Sequence, residues 1–198
     1  MLNAKRPLEE KGNMNTDDRL AALERKLQYL IDRQEILDCI VRTSRGNDRF
    51  DAERICGSYH ADGLHELGQN LIPGSDYGAH ANHAHSAICE VNLHNVTMHS
   101  CEINGDVAHA ESYVIGLFLD KGCETARILA GRYIDRLEKR DGRWGIVLRR
   151  ATVEIPLEGR AILPNRKTVH GSGYLKGSRD RNDPTYQRPL TIEGGERW

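Results

Sequence analysis

No apolar run in this chain approaches the ~20 residues of a membrane span, and no C-x-x-C pair marks a zinc or redox site. The five cysteines, Cys39, Cys56, Cys89, Cys101 and Cys123, are odd in number and widely spaced. They read as reduced thiols of a cytoplasm, packed as small apolar residues. Surplus charge is missing too. With 28 basic and 29 acidic residues the net charge is −1, so no global field draws nucleic acid or an acidic membrane. Aromatic residues are scarce at 6%, with two Phe and two Trp. Together with 38% hydrophobic residues, this limits the 198 residues to one modest core with polar segments outside it.

The polar start, residues 1–15, lacks the apolar stretch of a signal peptide and reads as a disordered leader. Thr16-Asp17-Asp18 then caps a helix in which Leu20, Leu23, Leu27, Leu30, Ile31, Ile36, Leu37, Ile40 and Val41 recur at helical steps. Ser44-Arg45-Gly46-Asn47 is expected to end it, since Gly and Asn tolerate a left-handed cap. A shorter helix is expected over Arg49 to Tyr59, then a turn at Ala61-Asp62-Gly63 and a short strand, Leu64 to Leu67. Asn70 to Tyr77 reads as loop and Ala79 to Val91 as helix. The second half is β-rich. Strands Val96–Ile103, Val107–Leu119, Ala126–Leu137 and Trp144–Ile155 are separated by Asn104-Gly105-Asp106, Asp120-Lys121-Gly122 and Arg140-Asp141-Gly142 turns. Helices followed by an antiparallel meander predict an α+β domain over residues 16–155, with a curved sheet and a pocket at its open end. Residues 156–198 show no period and read as an extension: a lid, a subunit arm or disorder.

Three stretches together resemble the SnoaL-like branch of the NTF2-like superfamily. They are Asn47-Asp48-Arg49-Phe50-Asp51 with Tyr59-His60-Ala61-Asp62-Gly63, then Glu102 to Tyr113, then Gly131 to Asp135 with Arg140 to Ile146. The resemblance spans roughly residues 17–155. It implies an NTF2-like cone, a homodimer or homotrimer, and no cofactor or metal. The branch includes scytalone dehydratase, the hexachlorocyclohexane dehydrochlorinase, a bile acid dehydratase, polyketide cyclases and sphingomonad diarylpropane lyases. Several of its lyases use an Asp after the first helix and a His opening the first long strand. Asp48 and His94 match those positions, and Arg149 matches a frequent Arg of the last strand. Thr43 and Met98 stand where relatives often carry Tyr or Lys and Asn.

An imidazole can take and return a proton near neutral pH, and a carboxylate on its far nitrogen fixes its tautomer. Asp48 and His94 are therefore the candidate catalytic pair of a cofactor-independent lyase. Its substrate would be a small aromatic or polycyclic hydroxylated compound, such as a lignin-derived diarylpropane, losing water or formaldehyde. Read singly, without the resemblance, Asp48 is more simply a helix-turn cap and His94 a satisfied strand histidine. Arg149 either clamps a substrate oxygen or pairs with Glu111 across strands. Tyr59, Tyr113 and Tyr133 either donate hydrogen bonds into the pocket or pack as core. His80, His83 and His85 suggest ligand spacing, with His99 as a possible addition. Only His80 and His83 share a helix face, so a pocket wall or a solvated helix is expected rather than a metal site. A non-catalytic binder, a ring-hydroxylating dioxygenase β-type subunit, a polyketide cyclase and an epoxide hydrolase are the alternatives.

Overall fold

The computed structural model describes residues 15–161 and 173–197. Helix α1 (Thr16–Arg49) is opened by Asn15, whose side chain accepts the Asp18 N–H at 2.8 Å. Asp17 and Asp18 then sit at the positive end of the helix dipole. The helix has two parts. Leu20, Leu23, Leu27 and Leu30 are each more than half exposed, whereas Ile36, Cys39 and Ile40 are wholly buried. Asp32 marks the change. It accepts Trp144 Nε1 and Lys139 Nζ at 2.8 Å each, tying mid-helix to the sheet. Burial opposes its ionisation, but these bonds and one from Gln28 prevail and hold its pKa below the usual value.

The helix does not stop at Gly46-Asn47. It runs on to Arg49, and Phe50 takes the left-handed cap at φ 52°. Gly46 serves packing instead. A Cβ there would lie 2.5 Å from Ile55 Cγ1 and 3.0 Å from the Asp51 carbonyl. The glycine thus lets α1 lie against α2 (Ala52–Cys56), which is capped by Asp51 and is shorter than expected. Tertiary contact overrides the local stop signal, and Asp48 consequently lies on the last helical turn rather than on a loop.

Strand β1 (Tyr59–Leu67) begins at Tyr59, and an irregularity between Tyr59 and Leu64 absorbs the expected Ala61–Gly63 turn. Asn70 to Tyr77 is not loop. It forms β2 (Asn70–Pro73) and the start of α3 (Gly74–Ile88). β3 (Cys89–Asn104) starts where helix was expected, so His94 lies well inside a strand. β4 (Val107–Asp120), β5 (Thr125–Arg140) and β6 (Arg143–Ala151) follow as a meander; the last expected strand ends at Ala151 rather than Ile155, and a further strand, β7 (Ile155–Arg160), opens the segment expected to be an extension.

Among the described residues seven strands form one mixed sheet, six of them in the order β2-β1-β6-β5-β4-β3 and β7 paired beside β6 on β5. Only the β1–β6 pairing is parallel, so the sheet is not wholly antiparallel. β5 is shared, its second half pairing with β6 and its first half with β7. The chain crosses between them at Gly131, where any Cβ would collide with the Thr152 carbonyl. The helices cover one face of this curved sheet, as in an NTF2-like cone, and α1 packs on β3 and β6. Ile36, Ile40, Ile55, Ala108, Leu137, Trp144 and Ile146 fill the core. Among the described residues no helix is long and apolar enough to cross a membrane.

Gly46→Val should overpack the α1–α2 contact. Because valine gains only a few tenths of a kcal/mol in helix propensity over glycine, the expected net loss is about 1–3 kcal/mol. It would be read as a lower urea midpoint at unchanged m-value; an unshifted midpoint would remove the packing argument.

Candidate active site

Asp48 and His94 meet. The last turn of α1 lies across β3, where Asn92 and His94 share the inward face because side chains alternate along a strand. His94 Nδ1 lies 2.7 Å from Asp48 Oδ1, and the His94 backbone N–H is 3.0 Å from both carboxylate oxygens. Asn92, wholly buried, donates to Asp48 Oδ1 at 3.3 Å and to the Asn47 carbonyl at 3.1 Å. A carboxylate only accepts, so the Nδ1 contact requires the proton on that nitrogen. Nε2 is then the free base of the ring. The side chains of Asp48 and His94 are 12% and 9% exposed, which is enclosed yet reachable. Both line a cleft of about 440 Å³ with Ser44, Arg45, Val96 and, from the C-terminal segment, Thr185.

Two of the histidines noted for their spacing, His85 and His99, face the interior, and His85 lies beside the pair. α3 turns His80 and His83 to solvent but His85 inward. The His85 ring lies 5.4 Å from that of His94, and Phe118 meets His94 edge-on at 5.5 Å. Burial, with the charges of His94, Arg179 and Arg127, pushes the His85 pKa down to about 4. Its Nδ1 is buried without a partner, as is Asn82 Oδ1 one turn earlier. The other is His99. A bulge between Val96 and Met98 reverses the alternation of β3, so Met98 is 64% exposed and His99 faces in, bonded to Ser112 Oγ at 2.9 Å. Its pKa is lowered, chiefly by burial. A bulge leaves no mark in hydrophobic periodicity except a skipped beat, here Thr97-Met98-His99.

The remaining expected binders lie deeper or elsewhere. Arg149 does not pair with Glu111, whose partner is Arg132 at 2.7 Å. Arg149 instead forms a bidentate pair with Asp135, its registered neighbour on β5, at 2.7 and 2.9 Å. Its third nitrogen donates to Thr43 Oγ1 at 2.5 Å, and the guanidinium lies 4.2 Å from the Tyr133 ring centroid. At 1% exposure, with three nitrogens bonded, Arg149 is a buried strut beneath the interior. Desolvation works against its charge, but Asp135 more than offsets this and its pKa is raised.

Tyr59 is buried, its hydroxyl 2.7 Å from His65 Nδ1; the His65 ring stacks on Tyr77 at 3.6 Å. Burial, then the charges of Arg149 and His80, takes the His65 pKa to about 3. Tyr133 is buried beside this cluster, and burial raises its pKa. Tyr113 stands on the outer face of β4 at 43% exposure, opposite Met98, so within one chain it does not face the interior. The cysteines are free thiols, three of them buried.

A SnoaL-like domain model matches residues 28–150. No curated protein matches the chain. The fold resembles that of a hexachlorocyclohexane dehydrochlorinase (type 3) from Novosphingobium barchaimii, at a TM-score of 0.63 and 18% identity, covering 68% of this chain and 94% of that one. A putative scytalone dehydratase from Novosphingobium aromaticivorans gives 0.59 and 17%, covering 65% and 88%. A protein of unknown function from Mycobacterium tuberculosis gives 0.56 and 28%, covering 63% and 77%. The first two are too distant in sequence to show more than the fold.

Two measurements test the interior. Asp135→Ala leaves Arg149 buried and unpaired and should cost about 3–5 kcal/mol; a loss under about 1 kcal/mol, the scale of an exposed pair, would mean that the pair is not buried. His65 and His85 are neutral when folded but gain protons in the unfolded chain from their ordinary 6.5 downward. Their contribution is complete above about pH 6.5 and is lost on acidification toward about 3 for His65 and about 4 for His85. Each histidine should add about 1.4 kcal/mol per pH unit to the acid slope of unfolding free energy. A flat stability profile between pH 7 and pH 5 would contradict the burial of both rings.

Proposed function

The chain belongs to the SnoaL-like domain family, and from that membership we propose that it is a cofactor-independent lyase acting on a small hydroxylated aromatic compound. The observation that carries this reading is the 2.7 Å contact between Asp48 and His94 inside a cleft. Asp48 holds the Nδ1 proton and stabilises the imidazolium, and Nε2 removes a proton from substrate. In a dehydration the proton leaves carbon, its electron pair becomes the double bond, and hydroxide departs from the neighbouring carbon. His94 then returns the proton, giving water. In a deformylation the proton comes from a terminal hydroxyl. Formaldehyde is released as the carbon–carbon bond breaks, and those electrons expel hydroxide from the next carbon. Either balance needs one base that becomes an acid and nothing else.

His85 supports the reading as a group beside His94 that stays uncharged near neutrality and has an unpartnered ring nitrogen for a substrate oxygen. Phe118, edge-on to His94, offers an apolar surface for an aromatic ring. Epoxide hydrolysis is less well supported. It asks for two carboxylates around one Arg, and Arg149 holds Asp135 on one side but Thr43 on the other. A small-molecule binder of the same fold remains the second reading, favoured by the unpartnered interior atoms of His65, His85 and His99. A homodimer or homotrimer in the cytoplasm completes the proposal.

His94→Ala and Asp48→Asn should each lower turnover by roughly 10²–10⁴-fold while far-UV circular dichroism is retained. Suitable probes are diarylpropane diols, followed by formaldehyde release, and benzylic alcohols, followed by the absorbance of the new conjugated alkene. Near-wild-type rates in either variant would sink the lyase reading. Ligand binding without turnover in the wild type would favour the binder.

A further inference from the structure

The C-terminal segment lies beyond the residues matched by the family model, yet it reaches the catalytic pair. Arg179 donates through Nη2 to the Cys89 carbonyl at 2.9 Å and through Nη1 to Asn92 Oδ1 at 3.3 Å. Its guanidinium also stacks on the Phe50 ring at 4.3 Å, immediately after the end of α1. Asn92 is the buried residue whose amide nitrogen binds Asp48 and the Asn47 carbonyl. We propose that Arg179 is a positioning residue for the Asp48–His94 pair, acting through the side-chain amide of Asn92.

The chemistry of the amide is what makes this relay directional. An asparagine side chain can present its oxygen or its nitrogen to either neighbour. Asp48 and the Asn47 carbonyl are acceptors, so the nitrogen must face them. The oxygen then points the other way, into a wholly buried space, and needs a donor there. Arg179 is that donor, and because it has no acceptor it holds the amide in one of its two orientations. Without it the amide oxygen has no partner, and the nitrogen's hold on Asp48 loosens with it.

The segment is anchored for this task beside the pair. Asp183, 5% exposed, accepts the backbone N–H groups of Ser178 and Thr185 and pairs with Arg49 at 3.5 Å. The Tyr186 hydroxyl donates to Asp51 at 3.0 Å, and Arg45 donates to Thr185 Oγ1 at 3.1 Å. Residues 45, 49 and 51 flank Asp48 in sequence, so the anchors and the catalytic carboxylate share one corner of the fold. Thr185 and Asp183 thereby form a wall of the cleft.

The consequence for the His94 ring stands apart from the lyase reading; the consequence for turnover rests on it. The test uses full-length protein with ¹⁵N-labelled histidine. In the wild type, long-range ¹⁵N–¹H spectra should show His94 in a single tautomer with the proton on Nδ1. Arg179→Ala should convert this to an exchanging mixture, and Arg179→Lys should recover part of the single-tautomer signal. Asn92→Ala should give the same signature, with the double variant no worse than Asn92→Ala alone, since both changes break one chain. With a turned-over substrate, kcat should fall roughly ten- to a hundred-fold at little-changed KM. Unchanged His94 signals in folded Arg179→Ala, or additive effects in the double variant, would overturn the proposal. If Arg179→Ala fails to fold, Arg179→Lys and Asn92→Ala decide by the same spectra. A changed ring signature in a protein that turns over no hydroxylated aromatic would uphold the positioning role and remove the lyase reading.

Discussion

One carboxylate joins the two halves of this fold. Asp48 sits on the last turn of a 34-residue helix and accepts both the backbone N–H and the ring N–H of His94 on β3. The backbone contact fixes where the helix end lies against the strand; the ring contact fixes how the imidazole points. Helix placement and ring orientation thus use the same oxygen atoms. The end of α1 cannot shift along β3 without releasing the ring, and the ring cannot rotate without leaving a buried carboxylate short of a donor.

That constraint explains features that otherwise look unrelated. Gly46 has no side chain because α1 must press against α2 for its final turn to arrive over β3. Phe50, rather than a glycine, takes the left-handed cap, since the stop must fall after Asp48. The Arg149–Asp135 pair lies deeper and bears a different load. An ion pair so thoroughly desolvated is costly to make and more costly to break. It is sustained by a third bond to Thr43 and by the Tyr133 face. Thr43 belongs to α1, so this pair also joins helix to sheet, one turn before the site.

The sequence discloses the α+β order, the hairpin turns, and the Asp48 and His94 positions, because each leaves a local trace: a period, a Gly-Asp turn, a residue type at a familiar spacing. It conceals whatever depends on contact between distant segments. Ser44 to Asn47 reads as a helix stop until Ile55 is seen to occupy the space beside Gly46. Arg149 pairs with Asp135 and not Glu111 because register between β5 and β6 decides the neighbour, and register is not periodic information. Residues 156–160 carry Pro156 and Gly159 and so do not read as strand, yet with Ile155 they pair with the free half of β5. The contribution of residues 178–186 is hidden for the same reason: its polar residues become legible only against residues 45 to 51.

The bulge in β3 has a consequence of its own. Inward positions follow even numbers from Asn92 to Val96 and odd numbers from His99 to Ile103. The extra residue is Thr97, since Val96 and Met98 pair with the consecutive residues Val114 and Tyr113. Deleting Thr97 would therefore leave His99, Cys101 and Ile103 on the inward face and remove only the local kink. Inserting or deleting a residue in the regular pairing beyond the bulge, by contrast, would exchange the inward and outward sets of that end. The bulge thus separates the strand into two stretches whose linings can change independently, with Asp48 and His94 at one end and His99 at the other.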